Sequence, residues 1–554
     1  MMASVDINHS GNYGLLNPEL GSLELWESEY PVSSVCRSVI QPCLHPIWKL
    51  PCELLSLIFT KLIDSTNMIF HDQGSHDDST AIRYTSQVCG YWRVVALSCP
   101  TLWASIINLK RDGPAWIDVL TKRAQSLPLR IYADIPRKTT TRKRIRKVLN
   151  RISQIHTLHM RLHDHGLVWN DIWNCVLEPA PLLESFHLRF QIKGWVHIKL
   201  PSPLFFNDAP RLRDLRLKNC MINFDSPALR HLEHLELELI GEEIAPLLSN
   251  WLSMLHTLQN TLQSLTILDS FGSEEFLGQV HSVVNGDVFM PYLRNIKLMG
   301  DLSDCAQLLN RLILPDGCSL FVRSLTARDE IDFLVMQDAL SKVLAGWQPE
   351  GACSSWYMSV IWSTSLTLPC GYLKIRGEQG LDKPQLDLEF ACSITSLAPI
   401  LTSLKAAPLQ RLYMLDLTIT DHHNIPESNL TSILVDFISS ASSVEVICMT
   451  HRTACIMLPV LREISAILQD NSEDGHKSYP SILLPSLRYI QFHFIQLADL
   501  QVRGMIVSYL QWRHVMRADI QLVTFLNNPY VEEVAKEFCQ IPGLTTEWKR
   551  TDMG

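Results

Sequence analysis

The chain has 554 residues, of which 47% are hydrophobic and 19% are charged. This composition is typical of packed globular proteins and excludes a largely disordered chain, which would be richer in charge and poorer in apolar residues. The formal net charge of -9 comes from 48 basic and 57 acidic residues, so the chain as a whole has no basic field that would draw it to nucleic acid or to anionic lipid.

The 15 cysteines are scattered without a C-x-x-C pair, in a chain long enough to form a core without disulfides. We therefore expect free thiols in a reducing compartment. The first residues lack a basic segment followed by an apolar one, and the uncharged stretch 351–373, broken by Pro369 and Gly371, is interpreted as two buried strands. These features predict a cytoplasmic or nuclear location and no membrane association.

Residues 1–44 carry scattered turn-forming residues and only short apolar runs, and we expect a loosely ordered lead-in there. The first firm signal is a helix that begins near Pro51, a residue that the first helical turn tolerates. The spacing predicts that its apolar residues form one stripe. The residues of this stripe are Leu54, Leu55, Ile58, Phe59 and Leu62.

A polar stretch at 64–80 has too few apolar residues to pack and predicts a loop. A second helical run follows, in which Val88, Trp92, Val95 and Ala96 are expected on a shared face. Pro100 is expected to end this helix.

Beyond residue 111 the pattern predicts helices alternating with strands, and from residue 183 an irregular L-x-x-L-x-L repeat appears. Its copies recur every 20 to 31 residues, near the period of leucine-rich repeats, and the match weakens between about 300 and 400. We expect an α/β fold in which these strands lie side by side and parallel in one curved sheet. The strands in question are 183–190, 212–220, 232–240, 262–268 and 293–298.

Two ordered groups of residues resemble the two halves of an F-box. They read Leu50-Pro51-x-Glu53-Leu54-Leu55-x-x-Ile58-Phe59 and Val88-Cys89-x-x-Trp92-Arg93-x-x-Ala96-Leu97-x-x-Pro100-x-Leu102-Trp103. Because leucine-rich repeats follow these two motifs, the chain is similar to the large basidiomycete fungal family of F-box proteins. The resemblance implies a small all-α F-box domain at 45–110 and an irregular leucine-rich-repeat solenoid at 111–554.

In that family the box binds a Skp-type adaptor, which is bound in turn by a cullin. The resemblance therefore implies a non-catalytic, substrate-recognition subunit of a Skp-cullin-F-box ubiquitin ligase, without cofactor or metal, whose repeats hold an unknown protein target. The residues assigned to adaptor contact or to the core of the box are Leu50, Pro51, Leu54, Leu55, Ile58, Phe59, Val88, Cys89 and Trp92.

Two other functions stay open. The chain can be a leucine-rich scaffold whose box is vestigial or serves outside ubiquitin transfer, and recovery of adaptor and cullin from the native cell would argue against that. A hydrolase or transferase in residues 300–400 has no motif to support it. A deep pocket with clustered, perturbed titratable groups there would revive that hypothesis.

Candidate target contacts lie between the buried positions of each L-x-L motif, since alternate side chains of a strand point to opposite faces. The charged residues at these positions are His187, Arg189, Arg216, Lys218, Glu236, Glu238 and Lys297. We single out Arg216, Lys218, Glu236 and Glu238 for target binding. Equally, such a row can serve only to keep the outer face of the sheet soluble.

Three other polar groups are interpreted as structural. The basic run at 137–147 also carries a helical apolar face, which favours a solvated helix side over a nuclear address. His163-Asp164-His165 and Asp421-His422-His423 lack a third ligand at a recognisable spacing, which favours surface loops over metal sites.

Overall fold

A computed structural model of the protein describes most of the chain beyond residue 49. The described residues are 50–67, 78–109, 112–135, 139–163, 173–191, 198–241, 243–272, 286–326, 330–346, 356–364, 371–378, 385–420, 427–470, 482–528 and 532–550. The expected lead-in at 1–44 lies outside them.

The chain divides into two compact units. The smaller unit contains the described residues up to Ile106 together with Thr121–Gln125, and the larger contains Ile107–Leu120 and the residues from Ser126 onward. The expected domain boundary at residue 110 remains a prediction.

Four short helices form most of the smaller unit. They are α1 (Cys52–Asn67), α2 (Asp78–Thr85), α3 (Gly90–Leu97) and α4 (Pro100–Ser105). Helix α1 begins directly after Pro51, as expected, and the carbonyl oxygen of Pro51 accepts its first hydrogen bond from the Leu55 N–H at 3.1 Å. It continues to Asn67, so the expected loop at 64–80 is helical at both ends, and its middle lies outside the described residues.

The second helical run was predicted as one helix, and this prediction was wrong. The run divides between α2, α3 and α4, because Cys89 caps α3 by accepting the Trp92 N–H at its Sγ, 3.3 Å away. Pro100 begins α4 as well as following α3, since its fixed φ suits the first helical position. Val88 lies before the cap and is exposed, whereas Val95 and Ala96 are buried.

The larger unit is built on one sheet, to which the described residues contribute 17 strands. They are β1 (Ile107–Asn108), β2 (Leu129–Ile135), β3 (Ile155–Leu162), β4 (Ser185–Phe190), β5 (Asp214–Lys218), β6 (His234–Glu238), β7 (Ser264–Leu268), β8 (Asn295–Met299), β9 (Ser319–Ser324), β10 (Trp356–Thr364), β11 (Gly371–Glu378), β12 (Gln385–Cys392), β13 (Leu412–Thr420), β14 (Val446–Thr450), β15 (Tyr489–His493), β16 (Leu522–Leu526) and β17 (Thr545–Lys549). Two further short strands, Val288–Phe289 and Leu312–Ile313, pair separately.

The remaining described α-helices connect strands of this sheet. They are α5 (Pro114–Ala124), α6 (Thr139–Leu149), α7 (Leu248–Leu258), α8 (Leu302–Arg311), α9 (Glu330–Ala345), α10 (Ile394–Leu404), α11 (Glu427–Ser439), α12 (His451–Asp470), α13 (Leu500–Val515) and α14 (Glu532–Phe538). From α7 to α13 each helix packs against the next. None of the helices in the described ranges has the length and apolar character needed to cross a bilayer.

Strands β1 to β8 pair in chain order, and every pair is parallel. This confirms the parallel alignment predicted for the five repeat strands. Along them the apolar positions are buried and the intervening ones partly exposed, as in β5 and β6. The first residue after several strands, such as Asn219 and Asp269, adopts a positive φ that turns the chain out of the sheet.

The weakly matching region at 300–400 continues the same sheet, but with a different strand order and with one antiparallel strand. Beyond β8 the neighbours are β9, β12, β11, β10 and β13, and β11 is antiparallel to both β10 and β12. These three strands follow one another without intervening helices in the described residues, so the repeat period is lost there. The two strands predicted within 351–373 correspond to β10 and the start of β11. The α/β class is confirmed.

Candidate functional site

Helix α1 of the smaller unit has two apolar faces rather than the single stripe that the spacing predicted. Leu55 and Phe59 are fully buried, four residues apart on one side of the helix. The other side is exposed over two turns. Its side chains and their exposed fractions are Leu54 (47%), Leu57 (54%), Ile58 (44%) and Leu62 (44%). We call these four residues the α1 stripe.

The structure thus separates residues that the sequence could only group. Leu55 and Phe59 belong to the core of the smaller unit, while Leu54 and Ile58 face outward. Leu57, which sequence reasoning missed, follows Leu54 by three residues and so lies on the same helical face. The three-residue spacing between Leu54 and Leu57 was the feature of the sequence that could have identified it.

The second group of predicted adaptor residues, Val88, Cys89 and Trp92, includes a residue that packs against the buried face of α1. The ring of Trp92 lies 5.3 Å from that of Phe59, centroid to centroid, and Cys89 caps the helix that carries Trp92. The Tyr91 hydroxyl donates a hydrogen bond of 2.9 Å to the carbonyl oxygen of Leu50, which holds the chain just before α1. Of this group only Val88 is strongly exposed.

In the larger unit, the partly exposed positions of the strands form a polar row across the sheet. The register aligns His187 with Arg216, Arg216 with Glu236, and Glu236 with Thr266. Thr266 is aligned in turn with Lys297. The predicted target contacts are therefore brought together on one face.

The four residues singled out for target binding neutralise one another in pairs. Arg216 Nη1 lies 3.7 Å from Glu236 Oε2, and Lys218 forms an ion pair with Glu238. A partner that used these charges would have to compete with the existing pairs, which reduces the gain from each new contact. This geometry favours a role in keeping the face soluble and ordered.

Two further residues complete this network: Asp214, which sequence reasoning did not assign, and Arg189, which it named as a candidate but did not single out. Arg216 Nε also lies 3.0 Å from Asp214 Oδ1, and Arg189 Nη2 lies 3.4 Å from Glu236 Oε1. Asp214 occupies the position just before the L-x-L motif, two residues from Arg216, and therefore points to the same face of the strand.

A serine, two histidines and a carboxylate meet on β3, β4 and β5. The rings of His159 and His187 stack 3.6 Å apart, and Ser185 Oγ lies 2.9 Å from His159 Nε2. Both Ser185 Oγ, at 3.2 Å, and Asp214 Oδ2, at 2.7 Å, approach the same nitrogen, Nε2 of His187. A nucleophilic relay needs the hydroxyl and the carboxylate on opposite ring nitrogens, so this cluster lacks relay geometry.

The cluster is also a poor proton acceptor. Burial, together with the neighbouring His187, lowers the pKa of His159 to about 2, and burial lowers the pKa of His187 as well. Burial alone would raise the pKa of Asp214, but hydrogen bonds from His187 and Arg216 outweigh it and hold that pKa below its usual range. The histidines are therefore neutral and the carboxylate ionised near pH 7.

Titratable groups also cluster within residues 300–400. The Glu389 carboxylate is nearly buried and is held between Arg323, whose Nε lies 3.1 Å away, and Lys374. Burial and a hydrogen bond with Glu389 raise the pKa of Tyr372 to about 12. These side chains lie on adjacent strands of the sheet face with their charges paired, which is typical of a structural network.

Asp416 on β13 is held differently from the other carboxylates of this face. Its Oδ2 lies 3.3 Å from both Tyr357 Oη and Ser359 Oγ, and its Oδ1 lies 3.3 Å from Thr418 Oγ1. It occupies the centre of a Leu415-x-Leu417 motif, the same position that Arg216 and Glu236 occupy in theirs. Sequence reasoning did not single out Asp416.

Metal binding receives no support from the part of the chain that the structure describes. Within it, no three His, Cys, Asp or Glu side chains are grouped so that they could hold a metal ion. His163 Nε2 lies 2.5 Å from Asp134 Oδ1. Asp164, His165 and the motif at 421–423 lie outside the described residues.

Comparison with models of known protein families found no match, and a search of curated proteins found none either.

Proposed function

We propose that this protein is the substrate-recognition subunit of a Skp-cullin-F-box ubiquitin ligase, which binds the Skp-type adaptor through the smaller unit and a protein target through the larger. The observation that carries the proposal is the α1 stripe. It places four large aliphatic side chains, each about half exposed, on one face of a helix whose opposite face is already packed.

Burial of these apolar side chains by a binding partner would be favourable in free energy. Full burial of a leucine or isoleucine side chain contributes about 1.5–3 kcal/mol, and each stripe residue keeps roughly half of that to gain. Contiguous exposed apolar side chains of this kind mark interaction sites more often than scattered ones do. Two of the stripe residues, Leu54 and Ile58, are also positions of the motif that resembles the first half of an F-box.

In this proposal the protein performs no chemistry itself. It raises the effective concentration of target lysines near a ubiquitin carrier that the ligase supplies, which is the same advantage that tethering gives to any second reaction partner.

The test is binding of a purified fungal Skp-type adaptor to the full chain, measured by calorimetry. The variant Leu54→Asp/Ile58→Asp should lose more than 100-fold in affinity, because two charges would be desolvated in an apolar contact. The matched control is Ile331→Asp/Leu500→Asp, which changes two exposed apolar residues of the larger unit and should bind normally.

A second variant keeps the test informative. Leu57→Ala removes an exposed side chain with little effect on folding, and we expect a loss of about tenfold in affinity if Leu57 is buried at the interface. Unchanged binding by Leu57→Ala and by a folded Leu54→Asp/Ile58→Asp variant would refute the adaptor assignment. Adaptor binding without recruitment of a cullin would instead favour the scaffold function.

A further inference from the structure

The charges on the polar face of the sheet are not balanced everywhere. On β4 to β6 each cation lies beside a carboxylate, as Arg216 does beside Glu236 and Lys218 beside Glu238. On β13, Asp416 forms no ion pair with the described residues, and its carboxylate accepts hydrogen bonds from the hydroxyl groups of Tyr357, Ser359 and Thr418. We call these four residues the Asp416 site.

The strands that flank Asp416 are uncharged at the aligned positions. Ser359 on β10 is its register partner on one side, and Cys448 on β14 is its partner on the other. Cys448 is followed in the row by Gln491 on β15, whose Oε1 lies 3.4 Å from the Cys448 Sγ. The carboxylate therefore stands in a neutral, hydrogen-bonding surface.

The charge of Asp416 acts on its neighbours. Burial and then Asp416 raise the pKa of Tyr357 to about 12, and the same two causes raise the pKa of Cys448 to about 12. Both groups thus stay protonated near pH 7. The Tyr357 hydroxyl can donate to the carboxylate, but it brings no positive charge to compensate it.

We infer that the Asp416 site binds a segment of the target protein that carries a lysine or arginine side chain. The inference rests on the proposed function in one respect, that the larger unit holds a protein target. Charge complementarity carries it: a cation from the partner would complete an arrangement in which hydroxyls already orient the carboxylate.

The same reasoning places the target away from Arg216, Lys218, Glu236 and Glu238. A partner there must break or share an existing ion pair, whereas Asp416 requires only that its remaining hydration be displaced. The Asp416 site is therefore the better candidate on this face.

Selection of random dodecapeptides displayed on phage, with the purified full chain as bait, tests the inference without knowledge of the target. The enriched peptides should share a lysine or arginine. A synthetic peptide of that group should bind Asp416→Asn about tenfold more weakly than the unchanged chain, since one charge-assisted contact is lost. Replacing the basic residue of the peptide by glutamine should cause a similar loss.

The matched control is Glu236→Gln, which removes a paired carboxylate from the same face and should leave peptide affinity unchanged. Asp416→Asn keeps an oxygen acceptor for the hydroxyls, and an unchanged melting temperature would show that it folds. Absence of binders, enriched peptides without a basic residue, or equal binding by Asp416→Asn would overturn the inference. Adaptor binding, measured on the same preparations, reports separately on the proposed function.

Discussion

The aromatic rings of Phe59 and Trp92 lie 5.3 Å apart and are tilted by 59°, which joins the first helix of the smaller unit to its third. Phe59 is fully buried. Because its removal would leave a cavity, Phe59→Ala should lower the free energy of unfolding of this unit by about 3–5 kcal/mol. Hydrogen–deuterium exchange of peptides from α1 and α3 measures the loss locally.

Ile58→Ala provides the control, since it changes the neighbouring but half-exposed residue. It should change exchange in α1 and α3 by less than about 1 kcal/mol while weakening adaptor binding. Equal destabilisation by the two variants would contradict the division of α1 into a packed face and an exposed face.

The sequence was sufficient to predict α1 but not its two faces. An apolar run at i, i+1, i+4 and i+5 spans too wide an arc of the helix to show which side is packed. Phe59 is on the packed side because it contacts Trp92, and the sequence does not give the position of Trp92. The break between α2 and α3 was missed because a cysteine cap at Cys89 is not among the strong start signals.

In the larger unit the strands were predictable because every repeat buries the same alternate positions against its neighbours. The antiparallel arrangement of β10, β11 and β12 was not predictable, since antiparallel strands joined without helices leave no repeat period in the sequence. The ion pairs between neighbouring strands could not be predicted from the sequence either. Whether Arg216 is free or paired depends on which strand lies beside it, and spacing along the chain does not contain that information.

The buried Arg513 supports a structural prediction for the C-terminal part of the sheet. Its Nε donates to the carbonyl oxygen of Ala518 at 2.8 Å, Nη1 to those of Leu483 and Leu484 at 3.2 Å, and Nη2 to that of Leu487 at 3.0 Å. Arg513→Met would leave four carbonyls without these donors and should lower the free energy of unfolding by at least about 3 kcal/mol. Urea denaturation measures this change.

Arg513→Lys is the informative companion. An ammonium group can restore one or two of the contacts but not the planar geometry that reaches all four, so we expect an intermediate loss. If the methionine variant were as stable as the unchanged chain, the guanidinium would contribute no net stabilisation.

The low pKa of His159 predicts a pH dependence of stability. The folded chain protonates this residue only near pH 2, whereas the unfolded chain does so near its usual value of about 6.5. Between these values the unfolded state binds the extra proton, so the free energy of unfolding falls as the pH falls, by at most about 1.4 kcal/mol per pH unit.

Urea denaturation at pH 7, 6 and 5 tests this dependence. His159→Gln should reduce the slope of stability against pH, whatever its effect on stability itself. His231→Gln, which changes an exposed histidine, should leave the slope unchanged. A slope unaffected by His159→Gln would show that other groups cause the pH dependence.

The two ion pairs that join β5 to β6 should respond differently when their charges are exchanged. In Lys218→Glu/Glu238→Lys each new charge still faces its opposite, so stability should stay within about 0.5 kcal/mol of the unchanged chain. In Arg216→Glu/Glu236→Arg the same exchange places a carboxylate beside Asp214 and a guanidinium beside Arg189, because both original residues have second partners. Repulsion at both ends should cost about 1–2 kcal/mol, measured by urea denaturation in double-mutant cycles with the four single variants. Equal stability of the two exchanged variants would mean that the contacts with Asp214 and Arg189 contribute nothing in solution, and Arg216 would then be as available to a partner as Lys218 is.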